Sequence, residues 1–481
     1  MSDEELCYLP ATELIDKFRN KSLSPVEVME AVIAQSEKTE LVVNAFSHTF
    51  FDKAMEQARK AEQKYASGKH TGPLEGLPIA IKDETEVKGQ PCTNGSLTMK
   101  DYVATHTSVN NQRIMRAGGI IHARTTTPEF SCAGYTHSKL HGITRNPWNP
   151  EYTSGGSSGG ASASLASGTC SIATGSDIGG SIRIPSATCA LSGLKPTFGR
   201  NPEEPPFNLD QYCHTGPMAR TVKDTILLQN VMCGPHHSDI VSLKPRLRIP
   251  FEFKPIKGWK IAWSMDLGKY EVEEDVQKNT LQALDVFREL GATVEEVELD
   301  WPDDMFEAGM SYLSHLFGTS MVDALDKHGD QLTDYAAQWA INGPLSTAKD
   351  FLHSLEVAGK MYNTFGRIMQ KHHLFICPTN NLAAVKADHN QVIDEVIING
   401  KKVDPLLGWV MTLPFNMLSR CPVLTAPTGR THYGIPTSIQ LVARTYQDKD
   451  VCRAGLAFEN QVGQWFRDSA HRPDSITQPK S

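Results

Sequence analysis

Residues Thr153–Pro196 read TSGGSSGGASASLASGTCSIATGSDIGGSIRIPSATCALSGLKP. Glycine and serine dominate the run, which is the composition of a flexible linker. A linker has no use for apolar anchors, yet Leu165, Ile172, Ile178, Ile182, Ile184 and Leu191 punctuate this one throughout. The stretch therefore reads as ordered backbone held against a core. Its glycines allow close approach or positive φ, and its serines supply hydroxyls.

Short apolar runs alternate with helical patterns on both sides of it. Upstream, Leu77–Ile81 is nearly continuous in apolar residues, the mark of a strand covered on both faces. A helix at 109–117, a stop at Gly118-Gly119 and a strand at 120–123 follow. Ser24-Pro25-Val26-Glu27 combines a cap, a first-turn proline and a capping-box glutamate, opening a helix expected to reach about Lys38. A second helix, 51–67, ends at Gly68.

Downstream, Thr221 to Asp224 caps a helix that stops at Gly234. Strands are expected at 259–263, 293–299, 374–377, 423–425 and 437–442, with helices around 272–290, 346–371 and 447–464. The alternation predicts an α/β fold with one large mixed central β-sheet covered by helices. Residues 1–481 are expected to form one compact unit, with a peripheral helical region at about 301–345. The best linker candidate is Asn201–Asp210 (NPEEPPFNLD), and 235–255 reads as a second loop.

Composition narrows the class. Hydrophobic residues are 40% and charged residues 21% of 481, which excludes a disordered chain. A net charge of −8 without long runs of one sign argues against a groove built on phosphate contacts. Ten cysteines without a C-x-x-C pair read as buried thiols of a reducing compartment. The N-terminus shows no apolar segment behind a basic start, and no stretch approaches 18 apolar residues. The expectation is a cytoplasmic enzyme with no membrane contact.

Three chemistries compete for the glycine–serine run. A phosphate cradle would need G-x-x-x-x-G-K-[ST] or G-x-G-x-x-G, and neither is present. Gly156-Ser157-Ser158-Gly159-Gly160 matches G-x-S-x-G around Ser158. A nucleophile elbow needs a buried strand just before it, whereas residues 148–154 are polar and follow Pro147. The third reading is acyl transfer. Ile178-Gly179-Gly180-Ser181 offers consecutive backbone N–H groups beside a hydroxyl, as an oxyanion hole requires. A serine nucleophile needs a base, and Lys82 closes the apolar strand, where burial beside uncharged serines would favour its neutral amine. The plain alternative for Lys82 is a surface lysine at a strand end.

Gly155–Gly160 followed by Gly175–Pro185 resembles the signature of the amidase signature family. Gly76–Asp83 (GLPIAIKD), Thr144–Asn149 (TRNPWN), Gly193–Gly199 (GLKPTFG), Gly216–Val222 (GPMARTV) and Ile435–Val442 (IPTSIQLV) are similar to that family too, so the resemblance spans nearly the whole chain. It implies that Ser181 is the acylated nucleophile and Lys82 the base. Ser157, preferred to Ser158 by the family's spacing, passes the proton between them and is held in a cis peptide. Ile178, Gly179, Gly180 and Ser181 become oxyanion-hole donors, and Glu129, Phe130 and Ser131 fall in the family's pocket-lining loop. The implied activity is hydrolysis of a small-molecule amide, with esters or carbamates as further substrates. The alternative is the glutaminase component of a tRNA-dependent amidotransferase.

Two places depart from the family. Ser419-Arg420 follows the Phe415-Asn416 region where a glycine is common, and Arg420 is expected to pair with an acid at the rim rather than bind substrate. Cys132 and Tyr135 are individual to this chain's pocket-lining loop. The cluster Met305–Met321 reads as core, and the resemblance makes it a wall of the acyl pocket as well. His137 and His141 have zinc-helix spacing but lack the glutamate, and Gly142 ends any helix. The reading calls for no metal and no cofactor. It calls for no nucleic-acid partner unless the amidotransferase alternative holds, and it leaves a homodimer open.

Overall fold

A computed structural model describes residues 2–474. Eleven strands form one mixed sheet. In chain order they are β1 (Phe46–Thr49), β2 (Pro78–Lys82), β3 (Ile120–Thr125), β4 (Ile172–Asp177), β5 (Ser192–Lys195) and β6 (His214–Ala219). Then come β7 (Lys260–Trp263), β8 (Thr293–Glu296), β9 (Leu374–Pro378), β10 (Val423–Arg430) and β11 (Pro436–Ala443). The spatial order is β1-β3-β2-β4-β6-β5-β10-β11-β9-β7-β8. This is the large helix-covered sheet expected from the alternation of short apolar runs and helices.

Strand residues bury both faces by simple alternation. Leu374 and Ile376 pack with Leu284, Phe287 and Val451 on one side, while Phe375 and Cys377 pack with Met361 and Phe365 on the other. Burying such a side chain contributes roughly 1.5–3 kcal/mol. The covering helices are Glu274–Glu289 and Asp448–Val462 on the first face and Ala348–Lys371 on the second. The Ser24 cap forms as the sequence predicts: its hydroxyl accepts from the Val26 N–H at 3.0 Å, and Glu27 closes the box. That helix runs on to Val43, where Asn44 in the left-handed region (φ 53°) ends it.

One organisational expectation changes. Asn201–Asp210 is not a linker, because it folds back on the sheet: Asn201 Nδ2 donates to the Thr215 carbonyl at 2.7 Å and to Gln229 at 3.0 Å. The region 301–345 forms helices Met305–Leu313, Val322–His328 and Asp334–Asn342, and its inner side is buried core, as the cluster Met305–Met321 predicts. Among the described residues no helix is long and apolar enough to cross a membrane.

The site follows from one pairing. β2 and β4 are neighbouring parallel strands, with Ile79 opposite Ile172 and Ala80 opposite Ala173. Their carboxyl ends, Lys82 and Ser176-Asp177, therefore emerge at the same edge, where open α/β sheets place their ligands. The helix Gly159–Ala166 is buried along its whole length beside this edge. A Cβ on Gly160 would lie 2.4 Å from the Thr126 nitrogen, so only glycine fits that crossing.

Candidate active site

Lys82 is 1% exposed, and its amine is surrounded. Nζ donates to Ser157 Oγ at 2.7 Å and to Ser176 Oγ at 2.8 Å, and it lies 2.8 Å from Glu84 Oε2. Burial lowers the amine's pKa from its ordinary value, while the Glu84 carboxylate opposes that fall. The expected setting of uncharged serines is thus corrected: the turn after β2 returns a carboxylate to the amine. Ser157 is buried, and the Gly156–Ser157 peptide is cis.

Ser181 lies just beyond β4, and its carbonyl accepts from the Ser158 N–H at 3.2 Å, tying the two serine segments together. Among the described hydrogen bonds, none takes the N–H groups of Ile178, Gly179, Gly180 or Ser181. Their carbonyl sides are anchored: Thr412 Oγ1 donates to the Gly179 carbonyl at 2.6 Å, and the Ile184 N–H donates to that of Gly180 at 2.7 Å. Gly180 holds φ 134°, and a Cβ there would meet Thr412 Oγ1 at 2.0 Å. Close approach and backbone conformation both demand glycine.

Asp177 fixes the loop from behind. Arg183 Nη2 donates to its Oδ1 at 2.8 Å, Arg183 Nε to Oδ2 at 2.9 Å and Asn416 Nδ2 to Oδ1 at 2.8 Å. Burial works against its charge, but Arg183 and Asn416 outweigh it and hold the carboxyl at about 2. Ser158 is fully buried, and its hydroxyl exchanges hydrogen bonds with the backbone of Ser176. The elbow serine of the motif is thus a strand tether.

A cavity of about 340 Å³ opens onto Ser157, Ser176 and Ile178. A smaller one of about 30 Å³ reaches Gly179 and Ser181 beside Leu313 and Trp339. Phe317 lines both, so the Met305–Met321 cluster contributes a wall of the site, as the resemblance implies. Pro202, Glu203, Glu204 and Phe207, within the former linker candidate, supply the opposite wall.

The pocket-lining loop divides. Phe130 (φ 51°) and Ser131 (φ 59°) face the large cavity. Glu129 does not: it is 1% exposed, accepts from Ser96 Oγ at 2.6 Å and from Thr333 N–H and Oγ1 at 2.6 and 2.8 Å, and braces the 334–342 helix. Among the described residues Arg420 pairs with no rim acid, contrary to expectation. It donates to Gln211 at 2.8 Å and Ser419 at 2.7 Å and stacks over Phe198. His137 and His141 sit on a hairpin and turn to separate partners, the His389 carbonyl and Thr93.

Sequence reasoning missed Glu84 and Ser176. Both lie in or beside quoted motifs, yet spacing alone cannot show that a turn folds an acid back onto an amine two residues earlier.

Residues 27–452 match the profile of the amidase family. The chain belongs to that family. It is 33% identical over 464 residues to an acylamidase of Rhodococcus erythropolis, covering 95% of this chain and 96% of the relative. It is 30% identical over 492 residues to a glutamyl-tRNA(Gln) amidotransferase subunit of Lachnospira eligens, covering 95% and 98%. The fold superimposes on a bacterial aryl acylamidase of the amidase signature family with a TM-score of 0.90 at 27% identity, covering 98% of this chain and 99% of that one. This amidase is accordingly a hydrolase of carbon–nitrogen bonds.

Proposed function

We propose that this amidase hydrolyses a small-molecule amide through an acyl-enzyme on Ser181. The observation that carries the reading is the buried Lys82 amine on Ser157, set beside a loop whose N–H groups are open. In the first half-reaction Ser181 Oγ bonds to the amide carbon. Its proton passes to Ser157, and the Ser157 proton passes to neutral Lys82. The N–H groups of residues 178–181 receive the developing oxyanion, a contribution of roughly 2.7–4 kcal/mol per donor in comparable sites. When the carbon–nitrogen bond breaks, the proton returns through Ser157 to the leaving amine. Water then attacks the acyl ester by the same route, releasing the acid and restoring Ser181.

The glutaminase alternative has support in the amidotransferase relatives. The cavity weighs against it. Four glutamates (Glu84, Glu86, Glu203 and Glu204) line it, without a lysine, arginine or histidine among its lining residues, so a glutamine α-carboxylate would face acids rather than a cation on its walls. A panel of aryl, alkyl and fatty amides, esters and carbamates, with glutamine included, tests the reading. Turnover and fluorophosphonate labelling are expected to vanish in Ser181→Ala and to survive in Ser158→Ala. An intact-mass adduct on Ser158 with Ser181 unmodified would overturn the assignment.

A further inference from the structure

Glu84 stands outside the serine–serine–lysine relay, yet it touches the base of that relay. An ammonium has three N–H donors and a neutral amine only two. The three acceptors around Lys82 Nζ are Ser157, Ser176 and Glu84, at 2.7, 2.8 and 2.8 Å. The protonated form is therefore fully satisfied. In the neutral form, hydrogens spent on Ser176 and Glu84 leave the lone pair for Ser157, from which the proton comes. The Ser131 hydroxyl donates to the same Glu84 oxygen, so the carboxylate is held from the 129–131 segment as well.

The surrounding charges fit this role. On β4, Asp177 favours the Lys82 charge, while Cys213 just before β6 faces it as a neutral thiol, its pKa pushed up by burial. On β3, Arg124 donates to the Lys82 carbonyl at 3.0 Å and interacts favourably with Glu84. Glu203, from the 201–210 wall, lines the same cavity, and burial together with the Glu84 charge pushes its carboxyl up to about 8. Burial pushes the Glu84 carboxyl up, but Lys82 and the hydroxyls of Ser131 and Ser176 outweigh it and keep the group ionised.

We propose that Glu84 is a positioning residue for the Lys82 base: it takes one amine hydrogen, directs the lone pair at Ser157, and stabilises the ammonium once the proton has arrived. The inference rests on the reading of Lys82 as base. Glu84→Gln keeps the shape and an acceptor while removing the charge. The experiment measures the rate of Ser181 inactivation by a fluorophosphonate across pH 5–10, which needs no knowledge of the substrate.

An opposite charge at this distance raises a lysine's proton affinity by about 1–3 pH units. The acid limb of Glu84→Gln is therefore expected to move down by at least about one unit, with a several-fold lower plateau from the weaker base. Glu84→Asp keeps the charge and should keep the limb near its wild-type position; it also serves if the glutamine variant fails to fold. A Glu84→Gln limb superimposable on the wild type overturns the proposal, as does a Glu84→Asp limb displaced downward to the same extent as the glutamine one. Lys82→Ala run in parallel separates the two levels. If it retains the wild-type limb, the base assignment falls and this proposal with it. If it loses the limb while Glu84→Gln keeps it, Glu84 alone is wrong.

Discussion

Lys82 accepts a proton only as a neutral amine, so the rate should rise with pH as the ammonium deprotonates. Burial lowers the amine's pKa and Glu84 restores part of the loss, so the acid limb is expected below the ordinary lysine range of about 10.4. Replacing Lys82 by alanine should remove that limb together with on the order of 10²–10⁴ of the rate. An ester's better leaving group needs the returned proton less at bond cleavage than an amine does. The loss should accordingly be larger for an amide than for a matched ester. kcat/KM for such a pair over pH 6–10 measures this, and equal losses with the limb intact would make Lys82 structural.

The loop that joins β4 to the short helix Arg183–Thr188 carries Ser181 and the open N–H groups, and a buried ion pair holds it. Removing one member of such a pair leaves the other uncompensated, at about 3–5 kcal/mol. Asp177→Asn should destabilise by that amount at pH 7, read from urea melts, because Arg183 is fully buried. The carboxyl is held at about 2 in the folded protein against about 3.9 when unfolded. A depressed acid contributes stability that is present above its unfolded value and lost as pH falls through the folded one. The gap between wild type and Asp177→Asn should therefore be full above pH ~4 and narrow towards pH ~2. A gap unchanged over that interval would contradict the ion-pair account.

The large cavity is assembled from segments far apart in the chain: the turn after β2, the 129–131 loop, the 201–210 segment and the 314–324 stretch. Its four glutamates, with no lysine, arginine or histidine among the lining residues, should make it poor at accepting a negative substrate. Like charges across a binding surface cost several kcal/mol when desolvated. An amide bearing a carboxylate should thus show kcat/KM at least roughly tenfold below its uncharged isostere. Burial pushes the Glu203 carboxyl up to about 8. It is largely protonated at neutral pH, and its ionisation above pH 8 should widen the discrimination. Equal turnover of the two substrates at every pH would show that the acyl and leaving groups bind clear of this wall.

Local rules make the elements legible in one dimension. The Ser24 box, the apolar strand at 77–81 and the glycine–serine run depend on neighbours a few residues away, so propensity, capping and close packing write themselves into the sequence. The meeting of Lys82 with Ser157, beside the loop that carries Ser181, is likewise legible, because each lies in a short motif whose spacing the family shares. Folding alone brought Glu84 onto Lys82, moved Glu129 from pocket to brace, and turned Asn201–Asp210 from linker to wall. Those outcomes depend on which parallel strands pair and where each turn points its side chains. Contacts between residues distant in the chain are chosen by burial and charge in three dimensions, and spacing along the chain carries no record of them.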